Sequence, residues 1–306
     1  MSGLVAAFPS PGTGTIEIGP LSIHMYGITL LVAIVCAIVV TGIRWTRRGG
    51  DWDLVLRAAV WGVAAGIVGA RLYHVVTSYD QLPQTADGST EWWGPFAVWE
   101  GGLGIWGGIL FGVIAGGIVV WRSGESIALF ADCLAPGLLL AQAVGRWGNW
   151  WNQELFGKPT DLPWGLDIDG EHCPIQYSDL ATGCTEDFHP IFLYEFIFNL
   201  VGVGMLLLVE RLVRIRPPGL FALYISWYTL GRLFEEQLRI DPSHEFLGQR
   251  VNFWVAAVLF VASTAFFIWW QFFRKHRGPG PSVSPMESPP GGPAMAVPKG
   301  RVRPPR

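Results

Sequence analysis

Three short stretches of this chain hold the side chains able to bind or move charge. In "GRWGNWWNQELFG" (145–157), Arg146, Asn149, Asn152, Gln153 and Glu154 stand among three tryptophans. In "YTLGRLFEEQLR" (228–239), Tyr228, Arg232, Glu235 and Arg239 recur at i, i+4, i+7 and i+11, the spacing of one helix face. Glu236 sits one turn beyond Arg232, within reach of an ion pair. In "IHMYG" (23–27), His24 and Tyr26 open a long apolar run. Paired guanidinium forks match phosphate oxygens, often in bidentate geometry. A carboxylate beside such a cation has its pKa lowered, so Glu154 and Glu236 are expected to orient the arginines rather than to act as bases. Asn149 is expected to offer a neutral hydrogen bond.

The elements that must carry these groups are set by composition. Of 306 residues, 51% are hydrophobic and only 15% charged, and mean hydropathy is +0.37. A soluble domain carries about 25% charged residues. Runs such as "GITLLVAIVCAIVVTGI" (27–43) and "VNFWVAAVLFVASTAFFIWW" (251–270) can cross a hydrocarbon core of about 30 Å. An all-α, polytopic membrane protein of about seven transmembrane helices is expected, at roughly 21–43, 53–76, 97–121, 126–150, 190–212, 217–238 and 250–273. If the fourth continues as helix, Arg146, Asn149 and Gln153 share a face. The first span is expected to be retained, because residues 1–20 lack the basic start of a secretory signal.

Charge placement predicts orientation. Arg44, Arg47, Arg48, Arg122, Arg211, Arg214, Arg216, Arg274, Lys275 and Arg277 follow the odd-numbered spans, whereas 1–20 and 77–96 have no Lys or Arg. Positive charge stays inside, so the N-terminus is expected outside and the C-terminus in the cytoplasm. Residues 1–277 then form one membrane domain, with 153–189 as a small external head. The Pro-, Gly- and Ser-rich segment 278–306 reads as a disordered, basic cytoplasmic tail able to touch anionic lipid.

In the head, Cys173 and Cys184 on the oxidising side could close a small disulfide loop or remain free thiols. His172 and His189 lie nearby without a CxxC-type pair, so no metal site is expected, and nothing calls for a cofactor or for nucleic acid. The glycines of "VWEGGLGIWGGILFGVIAGG" (98–117) serve close helix packing, or let backbone N–H groups approach a ligand.

Charged groups at membrane depth cost roughly 2.5–3.5 kcal/mol each on insertion scales and mark a polar cavity by default. Bland readings exist for each: Tyr26 as an interface anchor, Arg146 snorkelling, Arg232 and Glu236 as a structural pair. Together the three stretches describe an outward-facing polar pocket with two arginines, set in lipid. The abundant phosphate ligand there is a phospholipid headgroup.

The first stretch resembles the signature of the bacterial prolipoprotein diacylglyceryl transferases, close to G-R-x-G-N-F-x-N-x-E-x-x-G. Gly145, Arg146, Gly148, Asn149, Asn152, Glu154 and Gly157 match it, and Trp150 replaces the usual Phe. The likeness extends through "HMYG", "WEGGLGIWGG" and "GRLFEEQLRIDP" and stops at the tail. It implies seven spans with the N-terminus outside, in a bacterial cytoplasmic membrane. It also implies transfer of the diacylglyceryl group of phosphatidylglycerol to the lipobox cysteine of a prolipoprotein signal peptide, forming a thioether and releasing glycerol phosphate, as the first step of bacterial lipoprotein maturation. Functional roles are implied for Tyr26, Arg146, Asn149, Glu154, Gly157, Arg232 and Glu236, with Tyr228 a weaker carry-over.

One position departs. Many family members have His-Gly-Gly in the glycine-rich motif, the histidine being suggested as a base; here Trp106 stands there. Trp106 cannot take a proton and is expected to shape the lipid pocket. His24 and Tyr26 stay candidate proton acceptors, while the arginines favour a thiolate. The rival readings are a phospholipid or anionic-solute transporter, a structural membrane protein and an intramembrane protease. The chain shows neither the internal repeat of the first nor the Ser-His or paired-Asp set of the last.

Overall fold

A chain surrounded by lipid must satisfy its backbone hydrogen bonds internally, and this one does so with helices. The computed structural model describes residues 8–19, 21–84, 90–98, 101–179 and 183–274; the expected tail, 278–306, lies outside them. The helices are α1 (Met25–Thr46), α2 (Trp52–Thr77), α3 (Ile105–Arg122), α4 (Ile127–Trp151), α5 (Ile191–Leu212), α6 (Gly219–Leu238) and α7 (Val251–Ile268). A π-helical turn, Trp269–Phe273, extends α7. α1 to α5 and α7 with its extension are long and apolar enough to cross a membrane. α6 has 20 residues but carries Arg232, Glu235 and Glu236 in its last two turns, so it falls short on hydropathy rather than length.

Among the described residues, three two-stranded pairs accompany the helices: β1 (Thr15–Ile18) with β2 (Leu21–His24), β3 (Ser178–Asp179) with β4 (Gly183–Cys184), and β5 (Glu245–Phe246) with β6 (Gln249–Arg250). Two expected bounds change. Residues 21–24 pair with 15–18 instead of opening the first span, so α1 starts at Met25. α3 starts at Ile105 rather than 97, because Gly101 and Gly102 take φ of +85° and +66°, a left-handed turn that no helix continues.

α1 packs chiefly on α4, α2 on α3 and α6 on α7, with α4 also against α5 and α6. α4 is the enclosed centre, burying Cys133, Ala135, Leu139 and Ala143. α2 and α3 approach through glycine: a Cβ on Gly107 would stand 2.1 Å from the Gly69 carbonyl oxygen. In that part of the glycine-rich run the packing use is the observed one. The outward faces of α2, α3 and α7 expose Val60, Val113, Val258 and Val261, each about two-thirds accessible, as lipid-facing surface requires.

The end of the bundle away from α1's start is closed by polar links. Pro136 has no N–H, which orphans the Asp132 carbonyl one turn back; Arg44 Nη2 donates to it at 3.1 Å and Arg44 Nε donates to the Cys133 carbonyl at 3.0 Å. Arg44 also forks onto Glu210 of α5, at 2.7 and 3.0 Å, and Arg48 pairs with the same carboxylate. Asp132 Oδ1 accepts the Phe221 N–H at 2.9 Å, capping α6, whose own N-cap is Pro218. The Asp132 bond ties the start of α6 to α4, and the Arg44 and Arg48 bonds tie α1 to α4 and α5.

Candidate active site

The other end of the bundle holds the start of α1, the ends of α4 and α6, and the head segment between α4 and α5. Arg146 and Asn149 lie one turn apart on α4, with Arg146 Nη1 donating to Asn149 Oδ1 at 3.3 Å. Asn149, 6% exposed, donates through Nδ2 to Glu154 Oε1 at 2.9 Å. Asn152 Nδ2 reaches the same oxygen at 3.4 Å.

Between the two arginines stands Glu195 of α5. Arg146 Nε pairs with its Oε2, and Arg232 Nη1 donates to its Oε1 at 2.9 Å. Arg232 also meets Glu235 at 3.3 Å and pairs through Nη2 with Glu236. Glu236 Oε2 lies 2.7 Å from Arg250 Nε, an ion-pair contact without the alignment of a hydrogen bond. Arg250 Nη2 and Arg239 Nε each reach Asp241 at 2.7 Å. Acid and base therefore alternate from Arg146 to Arg239 across the ends of α4, α5 and α6, and Asn149 links Glu154 to this chain. Burial alone would raise the Asp241 carboxyl, but the hydrogen bonds and charges of Arg239 and Arg250 outweigh it and hold it below the usual carboxylate range.

Aromatic packing aligns these helices. Trp147 rests against Phe192 and Phe196, 5.5 Å from each, and these flank Glu195 on α5. Trp227 stacks on Phe198 at 4.6 Å, joining α6 to α5. Tyr26 lies across Gly148, where a Cβ would come within 2.6 Å of its ring. Tyr228, one turn before Arg232, stacks on Tyr224, whose hydroxyl accepts from Gln142 at 3.0 Å.

Several expected placements change. α4 stops at Trp151, and Gln153 and Leu155 take φ of 49° and 58°. Gln153 accordingly leaves the Arg146 face and bonds the Pro11 carbonyl and Asp169. Glu154 reaches Asn149 rather than an arginine, whereas Glu236 does pair with one. Arg239 falls at the C-cap of α6, outside the helical face assigned to it.

Gly157 packs as backbone. Its N–H donates to the His189 carbonyl at 2.9 Å, and a Cβ there would lie 2.8 Å from His189. Trp106 stands at the start of α3, 47% exposed, with no hydrogen bond or ring contact to the arginine cluster among the described residues. His24 lines a polar cleft of about 260 Å³ with Gly14, Asn152, Glu154 and His172. Cys173 and Cys184 form a disulfide, their Cα atoms 5.6 Å apart.

Glu195, Arg250 and Arg71 escaped the reading of the sequence. Glu195 is a lone acid in "IFLYEFIFNL", and an intramembrane ionisable residue is a signal in itself. Arg71, 6% exposed in α2, donates to the carbonyls of Gly94, Pro95, Gly101 and Gly102, holding the turn before α3.

A model of the family described as prolipoprotein diacylglyceryl transferase matches residues 13–269. The chain belongs to that family. It is 45% identical over 272 residues to a phosphatidylglycerol–prolipoprotein diacylglyceryl transferase of Bifidobacterium adolescentis, covering 86% of this chain and 80% of that protein. Proteins with the same name from Frankia alni and Cutibacterium acnes are 44% and 45% identical, over 92% and 86% of this chain and 71% and 86% of their own lengths. Membership favours transferase chemistry over the transporter reading. It also gives the polar chain from Glu154 to Arg239 a setting: the signature of the diacylglyceryl transferases supplies Arg146, Asn149 and Glu154 from one segment, and α5 and α6 supply the rest.

Proposed function

We propose that this chain transfers the diacylglyceryl group of phosphatidylglycerol to the lipobox cysteine thiol of a prolipoprotein, in the outer leaflet of a bacterial cytoplasmic membrane. The thiolate attacks the glyceryl carbon that bears the phosphate. A C–S bond forms, the C–O bond breaks, and glycerol phosphate leaves with the electron pair. The phosphate carries one negative charge before the step and gains a second as the bond breaks. The observation that supports this reading best is the meeting of Arg146 and Arg232 on the two oxygens of Glu195, which puts two guanidiniums side by side. Cations so placed bind the transition state more tightly than the substrate, and that difference lowers the barrier.

The incoming thiol has a pKa near 8.5 in water, so about a few per cent is thiolate at neutral pH, and the arginines raise that share. His24 and Tyr26, at the start of α1, are the candidate acceptors of the released proton. Asn149, held by Glu154, offers a neutral bond to the headgroup. Tyr228 borders the arginines from α6. Trp106 and Gly157 act at a distance, on the lipid-facing surface and in the packing of the head.

The N-terminus is assigned to the outside. Arg44, Arg48, Arg122, Arg211 and Arg214 gather at the end of the bundle opposite the head, which fits retention of positive charge in the cytoplasm. The Cys173–Cys184 disulfide lies at the head end, which fits an oxidising compartment. Incubation of the purified protein with phosphatidylglycerol and a lipobox peptide, followed by mass spectrometry, tests the function. A diacylglyceryl adduct on the cysteine is expected; unmodified peptide across several lipid mixtures refutes the reading.

A further inference from the structure

Among the described residues, Glu195 is the carboxylate that touches both arginines of the site. Its side chain is 1% exposed, while those of Arg146 and Arg232 keep 20% and 15%. Glu195 therefore backs the guanidiniums, and an arriving headgroup meets the arginines from the accessible side. The other acids beside Arg232 do not do this: Glu236 is shared with Arg250, Glu235 stands at 3.3 Å, and neither pairs with Arg146.

We propose that Glu195 is a positioning residue that cancels one of the two guanidinium charges from behind, so that the site's preference for a doubly charged phosphomonoester over a singly charged phosphodiester stays small enough for the product to leave. The inference rests on the transferase reading above, in which the diester is substrate and the monoester is product.

Coulomb energy scales with the product of the charges. One unit of site charge therefore weighs twice as much for a dianion as for a monoanion at the same place. Two unopposed arginines would favour glycerol phosphate over phosphatidylglycerol and hold the product in the site. With Glu195 behind them, the net charge facing the ligand falls toward one, and the penalty lands mainly on the product. Glu195 also keeps the two cations within one carboxylate's width, where they would otherwise repel each other.

The test uses the full chain in lipid-containing micelles with phosphatidylglycerol and a lipobox peptide. The KM for phosphatidylglycerol and the inhibition constant for added glycerol phosphate are measured for wild type, E195Q and E195D. A unit charge within about 4–6 Å moves a charge equilibrium by roughly ten to a thousandfold. E195Q should therefore be inhibited by glycerol phosphate at least about tenfold more tightly, by a larger factor than any fall in KM. E195D keeps the charge and should keep the wild-type ratio of the two constants, whatever its kcat. A ratio in E195Q that is unchanged, or shifted the other way, overturns the proposal; a purely structural residue would change kcat and leave the ratio alone.

If E195Q does not fold, the wild-type protein decides. At pH 8 glycerol phosphate is a dianion, its second pKa being about 6. Deacylated phosphatidylglycerol, a soluble monoanionic diester, should then inhibit within about tenfold of it, since one net positive charge favours the dianion less than two would. A tenfold or greater preference for the dianion overturns the proposal. Failure of the wild type to modify any peptide would refute the transferase reading instead, and calorimetric binding of the same two anions would still settle the role of Glu195.

Discussion

Asn149 Nδ2 donates to Glu154 Oε1 across the break that ends α4, at 2.9 Å. The bond ties a nearly buried amide on the last turns of the helix to the first residues beyond it, where Gln153 and Leu155 have turned left-handed. It also fixes which face of the amide meets Arg146, since Oδ1 accepts from that guanidinium. Glu154→Ala leaves a buried donor without its partner, at a cost of about 1–3 kcal/mol. The transfer rate should fall by roughly ten to a hundredfold. Glu154→Gln, whose side-chain oxygen can still accept, should keep most of the activity. Initial rates with phosphatidylglycerol and a lipobox peptide check this; equal losses in both variants would mean that the charge, not the bond, is what matters.

Arg146→Ala and Arg232→Ala should each lower kcat by about 10²–10³-fold, the usual cost of removing one electrostatic partner from a dry site. Arg146→Lys should not restore the rate, because a point charge replaces a planar fork. Truncating either arginine also strips a partner from a carboxylate that is 1% exposed, which destabilises by about 3–5 kcal/mol. Rates must therefore be normalised to folded protein, measured by size exclusion and thermal melting in the same micelles. Full activity in either alanine variant would end the electrostatic account.

The legible parts of this molecule were those with a period or a length. Apolar runs announced α1, α2, α4, α5 and α7, and basic clusters marked one end of the bundle, because burial in lipid leaves no other pattern open. Helix starts were less legible: residues 21–24 (Leu21, Ser22, Ile23, His24) run straight into the apolar span, and their pairing with 15–18 makes them a strand. The two arginines stood out through their neighbours, but Glu195 did not, because its partners come from α4 and α6 and no local spacing in α5 points at them. Trp106 was legible only through its place in a motif; it sits at the start of α3, which packs chiefly on α2 and touches α4 less.

Gly148 separates two duties of the same signature. It is flanked by Trp147 and Asn149, yet its own task is to admit Tyr26, whose ring would be 2.6 Å from an added Cβ, with Thr29 Oγ1 at 2.9 Å. Gly148→Ala must push α1 away from α4, at about 1–3 kcal/mol for overpacking. Part of that loss should return when Tyr26→Ala is added, since the smaller side chain vacates the space. A double-mutant cycle on thermal stability reads the coupling directly. Additive losses would mean that Tyr26 is not what meets the new methyl group.

Asp241 gives a pH dependence with a definite sign. It accepts from Arg239 Nε and Arg250 Nη2, and these bonds and charges hold its carboxyl below the ordinary range despite the opposing effect of burial. A group whose pKa is lower in the folded state stabilises that state above its unfolded pKa, about 3.9 for an aspartate. The contribution is lost as pH falls through the lowered folded value. Between pH 8 and 5 Asp241 should therefore contribute a constant stabilisation, and Asp241→Asn should melt at a lower temperature than wild type by a constant margin. Below about pH 4 the margin should narrow, because the wild type protonates the group that the variant already lacks. Melting curves of both proteins from pH 8 to pH 3 test the sign. A margin that widens on acidification would mean that Asp241 is protonated in the folded protein and that Arg239 and Arg250 are held by something else.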